Sequence, residues 1–168
     1  MQDLSDAAKA YQQFLIAIGV DENAGIDVAE SAQNTAILMA EWMRGLHEER
    51  PVLSLMPAIS HDLVSLRDIP FYSFCGHHFV PFFGTIQIDY YPDQHIAGLG
   101  GFKRVIEHYA RRPQFQENLC AQIADHLYED LQPVSLKVRL LARQMCVELS
   151  EDSHQIQVES TAVRGDFI

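Results

Sequence analysis

The stretch FYSFCGHHFVPFFG, residues 71–84, places one cysteine and two histidines between two aromatic runs and ends on a glycine. Cys75 and His78 form a C-x-x-H pair, a spacing at which a tight turn directs a thiolate and an imidazole toward one metal ion. His77 lies beside them and is available for another role. The other cysteine of chemical interest, Cys146, lies far downstream in LARQMCVEL. The pattern therefore predicts a metal site centred on this stretch.

Two thiolates and one imidazole leave one position of a tetrahedral zinc site for water, which is typical of catalytic rather than structural zinc. Zinc lowers the pKa of such a water to about 7, so hydroxide becomes available at neutral pH. His77 is then a candidate proton-transfer group. The spacing alone leaves a second interpretation open, in which the histidines belong to an ordinary turn and the cysteines to the core.

Composition describes a globular protein of 168 residues with 48% hydrophobic and 21% charged residues, enough for one domain with a proper core. The formal net charge of −11 argues against a nucleic-acid partner but is compatible with a small anion in a local basic pocket. We see no signal peptide and no apolar run near the roughly 20 residues that span a bilayer. Three cysteines suit a reducing compartment, so we predict a cytoplasmic protein without a membrane partner.

Periodic apolar patterns predict helices over residues 3–18 and 28–44, followed by a loop over residues 46–60. The other predicted elements, in chain order, are strands over 62–74 and 85–90, helices over 102–110 and 113–131, and strands over 134–140 and 155–159. Cys120 falls inside the last helix, where we interpret it as a small buried hydrophobe.

This order predicts an α+β protein with an antiparallel four-stranded sheet and two helices inserted between the strand pairs. We expect a single domain over residues 1–168. Its N-terminal part, residues 1–60, is helical, and residues 61–168 form the sheet core.

The segment FYSFCGHHFVPFFGTIQIDYYP resembles the signature of the GTP cyclohydrolase I family, whose usual form is close to FYS-x-CEHH-x-x-PFFG. The similarity continues through GLGGFKRV, ARRPQFQENL, ARQMC and STAVRGDF. The resemblance implies the tunnelling fold (T-fold), in which sheets of several subunits close into a ring, usually a decamer, with active sites between subunits. It also implies zinc-assisted water attack at C8 of GTP, loss of formate and formation of dihydroneopterin triphosphate for folate and pterin biosynthesis.

The resemblance also implies a role for each matching residue. His77 matches a catalytic histidine, and Arg104 matches an arginine that contacts phosphate. Glu117, with its neighbour Gln116, matches the pair that recognises the guanine edge, where a carboxylate accepts hydrogen bonds from N1–H and the 2-amino group. The zinc ligands are matched by Cys75, His78 and Cys146.

Four positions depart from the family pattern. Gly76 replaces the glutamate of CEHH, and Gln144 stands where a second catalytic histidine is usual. The pair Gly100-Gly101 replaces serine and lysine, and the acidic segment 148–152 replaces a basic loop.

These departures predict weaker binding of an intact triphosphate, because phosphate pockets need cations. Lys103 and Arg143 are the candidate replacements for the lost cations. An amide cannot transfer a proton at neutral pH, so the role of the histidine replaced by Gln144 is either lost or supplied elsewhere; the unplaced candidates are His61, His95 and His154.

The sequence therefore predicts a zinc-dependent cyclohydrolase acting on a purine nucleotide, with GTP or a less phosphorylated relative as substrate. The alternative is a non-catalytic homologue that binds zinc and a purine or pterin and regulates or co-assembles with a true cyclohydrolase. The departures are also compatible with drift in an enzyme that still turns over GTP slowly. A purely structural ring scaffold is disfavoured, because scaffolding does not account for a retained water-binding metal site.

Overall fold

The computed structural model describes residues 3–20, 23, 25–150 and 156–166. The chain divides into two compact units, Met1–Arg44 and Gly45–Ile168. Among the described residues, every helix is too short or too polar to cross a bilayer.

The first unit is a pair of helices packed on each other, α1 (Ser5–Ala17) and α2 (Val28–Trp42). Alanines are buried in both helices and let the two backbones approach. The Asp27 side chain accepts a hydrogen bond from the Glu30 backbone N–H at 2.9 Å and caps α2. Both predicted N-terminal helices are confirmed.

The second unit is built on a five-stranded sheet. Four long strands pair antiparallel, as predicted; they are β2 (Val64–Cys75), β3 (Pro81–Tyr91), β6 (Ser135–Gln144) and β7 (Gln157–Gly165). A short strand, β5 (Pro113–Gln114), completes the sheet, whose neighbour order is β5-β2-β3-β6-β7. Helices α3 (Leu99–Ala110) and α4 (Gln116–Leu131) are inserted between β3 and β6. The α+β class with two helices between strand pairs is confirmed.

The fifth strand corrects one predicted boundary. Pro113, expected at the start of a helix, lies in β5 (Pro113–Gln114), which pairs parallel with the end of β2. Proline lacks a backbone N–H, and strand edges tolerate that loss. Helix α4 therefore begins only at Gln116.

The predicted loop over residues 46–60 is wrong in part. It contains a short strand, β1 (Leu55–Pro57), which pairs antiparallel with β4 (His95–Ala97). A 3₁₀ turn, Arg44–Leu46, precedes it. A three-residue pairing between distant segments is too short to produce a periodic pattern in the sequence.

The core lies between one face of the sheet and helices α3 and α4. Alternate residues of β3 and β6 point into it, and their partners on α4 recur at helical spacing. Cys120 on α4 is 1% exposed, and burial raises the pKa of its thiol to about 11, which confirms that it is a core residue. Gly84 is required where β3 pairs closely with β6, because a Cβ at this position would lie 1.9 Å from the Leu141 carbonyl oxygen.

Candidate metal centre

The turn after β2 is fixed by its own backbone. The Cys75 N–H donates to the Val80 carbonyl, and the Phe79 N–H donates to the Cys75 carbonyl, both at 2.9 Å. Phe79 has a φ of +52°, a left-handed conformation that reverses the chain at this point. The turn brings His78 Nδ1 to 3.9 Å from Cys75 Sγ.

Cys146 completes the group from a separate element. It lies on α5 (Met145–Glu148), a single helical turn that follows β6. The ligand atoms of Cys75, His78 and Cys146 all lie within 4.8 Å of one another, and no other group of three such residues occurs in the described ranges. Cys75 is buried, Cys146 is half-buried and His78 is exposed, so the cluster has one open side. The three residues predicted as ligands therefore come together in one chain.

The chemistry of these donors fits zinc. Burial, and then the neighbouring Cys75, raise the pKa of the Cys146 thiol above its usual range. Two thiolates this close repel each other unless a cation lies between them. Two sulfurs and one imidazole nitrogen are donors that Zn²⁺ prefers, and three protein ligands leave a fourth position open.

The same turn packs against the start of α4. The Gly76 N–H donates to the Gln114 carbonyl at 2.9 Å. The His77 ring lies 4.6 Å from the Phe115 ring, centroid to centroid. His77 is exposed, and its ring also lies 5.9 Å from the ring of the ligand residue His78, centroid to centroid. The candidate proton-transfer group therefore contacts the residue that directly precedes the candidate purine-binding pair.

Gln116 and Gln144 bind each other. The Gln144 side-chain amide donates to Gln116 Oε1 at 2.7 Å, and Gln116 Nε2 donates to the Val158 and Leu140 carbonyls at 2.8 and 3.3 Å. Gln116 is 4% exposed, so its amide is used within the chain. Glu117 is exposed in the first turn of α4, where the helix dipole favours a carboxylate.

The predicted phosphate-binding residues lie on α3. Arg104 is exposed, and its guanidinium lies beside Gly100, one of the two glycines at the position of the family serine and lysine. Lys103 Nζ lies 3.7 Å from Glu107, one helical turn away. Both cations are surface residues of this helix, which begins at Leu99.

Two of the three unplaced histidines lie on segments other than those that carry the ligands. His61 Nδ1 lies 3.1 Å from the Pro92 carbonyl oxygen, and His95 begins β4. His154 lies outside the described residues.

One contact of this region was not predicted. Arg143, a candidate replacement cation, binds Glu148 with two hydrogen bonds, Nε to Oε1 at 2.8 Å and Nη2 to Oε2 at 2.6 Å. These bonds raise the pKa of Arg143 and lower that of Glu148. In the sequence, this contact could have been predicted only from the opposite charges at positions 143 and 148, which lie on either side of Cys146. The negative charge of Glu148, expected to repel phosphate, is therefore already paired.

Comparison with known proteins shows the family of this chain. A family model described as GTP cyclohydrolase I matches residues 7–168. A GTP cyclohydrolase 1 from Corynebacterium aurimucosum is 39% identical over 170 residues, which cover 98% of this chain and 86% of the relative. A GTP cyclohydrolase 1 from Geobacillus sp. (strain WCH70) is 38% identical over 163 residues, which cover 94% and 86%.

Among solved structures, the archaeosine synthase QueF-Like in its apo form has a TM-score of 0.53 and 20% identity, covering 65% of this chain and 99% of that one. At this identity the likeness concerns the fold alone. The sheet, its two helices and the ligand cluster define a T-fold protein with a candidate three-ligand metal centre. The chain belongs to the GTP cyclohydrolase I family.

Proposed function

We propose that the protein is a zinc-dependent cyclohydrolase that opens the imidazole ring of a guanine nucleotide at C8. The observation that carries this proposal is the group Cys75, His78 and Cys146, with its ligand atoms within 4.8 Å and one open side. Family membership supports the reaction class. A reducing cytoplasm, as the cysteine content suggests, would keep both thiols available for the metal.

Cys75, His78 and Cys146 hold the zinc ion in this proposal. When bound there, zinc supplies a Lewis acid and lowers the pKa of a water to about 7. His77, exposed and close to Phe115, moves a proton between solvent and the opening ring. Glu117 accepts hydrogen bonds from the guanine edge, and Gln116 holds the start of α4 in place through its contacts with Val158 and Leu140.

The substrate carries fewer phosphates than GTP, or binds its triphosphate weakly, in this proposal. Arg104 and Lys103 on α3 are the cations available near the glycines that replace serine and lysine. Arg143 is paired with Glu148, so its positive charge is already balanced and is not available to bind phosphate. GMP and guanosine are therefore substrates to compare with GTP.

We further propose that several copies assemble into a ring, with a decamer as the expected size. Strand β7 forms one edge of the five-stranded sheet, and an edge strand can pair with a second chain. Light scattering of the purified protein gives the size directly, and a monomer at micromolar concentration would contradict the proposal.

A second function is favoured by one observation. Gln144, at the position of a catalytic histidine in the family pattern, donates its amide hydrogen to Gln116 and carries no titratable proton. A non-catalytic homologue that binds zinc and a purine or pterin, and co-assembles with a true cyclohydrolase, accounts for that change.

One assay separates the two functions. Zinc-loaded protein is incubated with GTP, GMP and guanosine, while formate release and pterin fluorescence are followed. The proposal predicts formate from at least one of them over many turnovers. Absence of formate at amounts stoichiometric with the protein, together with measurable binding of the same nucleotide, would instead establish the non-catalytic homologue.

A further inference from the structure

Within the described part of the chain, the backbone hydrogen bonds of the segment that carries Cys146 stay inside that segment. Pairing between β6 and β3 ends at Gln144. Beyond it, the Leu149 N–H donates to the Met145 carbonyl at 2.9 Å, and the Ser150 N–H donates to the Val147 carbonyl at 3.2 Å. Both bonds stay within the segment. An isolated turn of four residues is far shorter than the roughly 12 residues that make even a marginal helix in water, so side chains must fix its position.

The Arg143–Glu148 ion pair meets this need. Arg143 is in β6, Glu148 is the last residue of α5, and Cys146 lies between them. Two parallel N–H···O bonds join the guanidinium to the carboxylate, and such a fork fixes orientation as well as distance. The Glu148 side chain is 12% exposed and that of Arg143 is 42% exposed, so the pair lies at the protein surface and its two-bond geometry, more than its charge, fixes the turn.

The anchor of this pair is itself held by the sheet. Arg143 lies opposite Phe83 in the strand register, and its guanidinium lies 5.6 Å from the centre of the Phe83 ring. Phe83 in turn stacks on Tyr72 of β2, with ring centroids 6.1 Å apart. The side chain that holds α5 is thus part of a row of contacts across three strands.

We propose that Arg143 and Glu148 form a clamp that positions Cys146 as a metal ligand, an inference that rests on the zinc site of the proposed function. Both are positioning residues, since neither offers a ligand atom to the cluster. The clamp also assigns Glu148 a role other than repelling phosphate. Groups that orient metal ligands typically change metal affinity by about 10- to 100-fold when they are removed.

The test compares Glu148→Gln with a matched control, Glu159→Gln. Glu159 of β7 pairs at 3.4 Å with Arg139 of β6, the strand that also holds Arg143. Neither residue belongs to the ligand cluster. Zinc affinity is measured by competition with a chromophoric chelator. Cobalt is used as a second probe, because its thiolate charge-transfer absorption reports how many sulfurs bind the metal.

We expect Glu148→Gln to raise the zinc Kd by about 10- to 100-fold and to lower the cobalt–thiolate absorption, because a Cys146 thiolate that is less firmly placed binds the metal for a smaller share of the time. Glu159→Gln should leave both values unchanged. Arg143→Lys keeps the charge without the fork, so its Kd should lie between those of the wild type and Glu148→Gln.

Three results would overturn the clamp. The first is a zinc Kd of Glu148→Gln equal to that of the wild type. The second is a cobalt–thiolate absorption of that variant as strong as in the wild type. The third is a loss of zinc affinity in Glu159→Gln as large as the loss in Glu148→Gln. A wild-type protein that binds neither zinc nor cobalt would overturn the metal site of the proposed function and the clamp with it. Thermal unfolding of the metal-free variants shows whether each remains folded as the wild type does.

Discussion

The two turns that supply thiols to the candidate metal centre are built in different ways. The turn after β2 carries Cys75 and His78 and is held by backbone hydrogen bonds to Val80 and Gln114. The turn after β6 carries Cys146, and the backbone hydrogen bonds given for it stay within the turn. An ion pair between two side chains and the packing of Cys146 against the core join it to the sheet. Backbone bonds survive most substitutions, whereas an ion pair depends on two particular residues. We infer that the first turn is the rigid half of the site and the second is its vulnerable half.

The largest expected effect comes from removing a thiol from either turn. Cys75→Ser and Cys146→Ser should each reduce bound zinc from about one ion per chain to background, because two remaining ligands do not make a stable site. Cys120→Ser is the control, since Cys120 donates to the Val138 carbonyl inside the core and lies outside the cluster. Metal analysis after dialysis measures all three. Unchanged zinc in Cys146→Ser would show that the second turn supplies no ligand.

The next effect is expected where β3, the strand that follows the first turn, pairs closely with β6 at Gly84. Gly84→Ala places a Cβ 1.9 Å from the Leu141 carbonyl oxygen, so the strands must separate. We expect a loss of about 3 kcal/mol in the free energy of unfolding. Chemical denaturation measures it. Gly98→Ala is the control, because a Cβ at Gly98 meets nothing within 4 Å. If Gly84→Ala and Gly98→Ala were equally stable, the close approach of β3 and β6 at Gly84 would not be needed for stability.

A smaller effect is expected where the second turn begins. Gln144→His introduces a group that titrates near pH 6.5, and it removes the amide contact with Gln116. We expect higher turnover of GTP, together with a loss of about 1 kcal/mol in the free energy of unfolding.

The control for this position is Gln144→Asn. The asparagine side chain is too short to reach Gln116, and it has no group that titrates near neutral pH. It should share the loss of stability without the gain in turnover. If Gln144→His turns over GTP no faster than the wild type, a missing proton carrier is not what limits this site.

The smallest effect is expected at Gly76, on the rigid turn. Its Cβ would lie 3.4 Å from the Phe115 ring, an ordinary contact, and its N–H would keep its bond to Gln114. Gly76→Glu, which restores the family residue, should change the free energy of unfolding by no more than about 0.5 kcal/mol. Zinc affinity should change by a factor of about two at most. A tenfold change in zinc Kd would show that the turn depends on this side chain after all.

Much of the fold could be predicted because its long strands alternate and its helices keep their period. The alternating segment around Val138 and the helical spacing from Leu119 to Leu131 both correspond to observed elements. The pairing of β1 with β4, and of β5 with β2, could not be predicted, because two- and three-residue strands carry too little pattern. Pro113 predicted the start of a helix, whereas in the structure it lies in the edge strand β5.

The candidate site shows the same limit. Cys75 and His78 are three positions apart, so local spacing identifies them as a pair. Cys146 was a candidate third ligand because of its chemistry alone, and no spacing ties it to the pair; the family resemblance supported the assignment. The contact between Gln144 and Gln116 spans 28 positions and depends on how α4 packs against β6. The Arg143–Glu148 pair was visible as two charges, but its geometry depends on the turn between them. Long-range contacts of polar side chains leave no periodic trace in the sequence.

The central claim is an open zinc site with ligands from both turns, and X-ray absorption at the zinc edge tests it most directly. For the zinc-loaded protein we predict two sulfur ligands at about 2.3 Å and two nitrogen or oxygen ligands at about 2.0–2.1 Å. One of these nitrogen or oxygen ligands should be a water molecule that exchanges with solvent. A first shell with no sulfur, or one filled by four protein ligands, would contradict the claim.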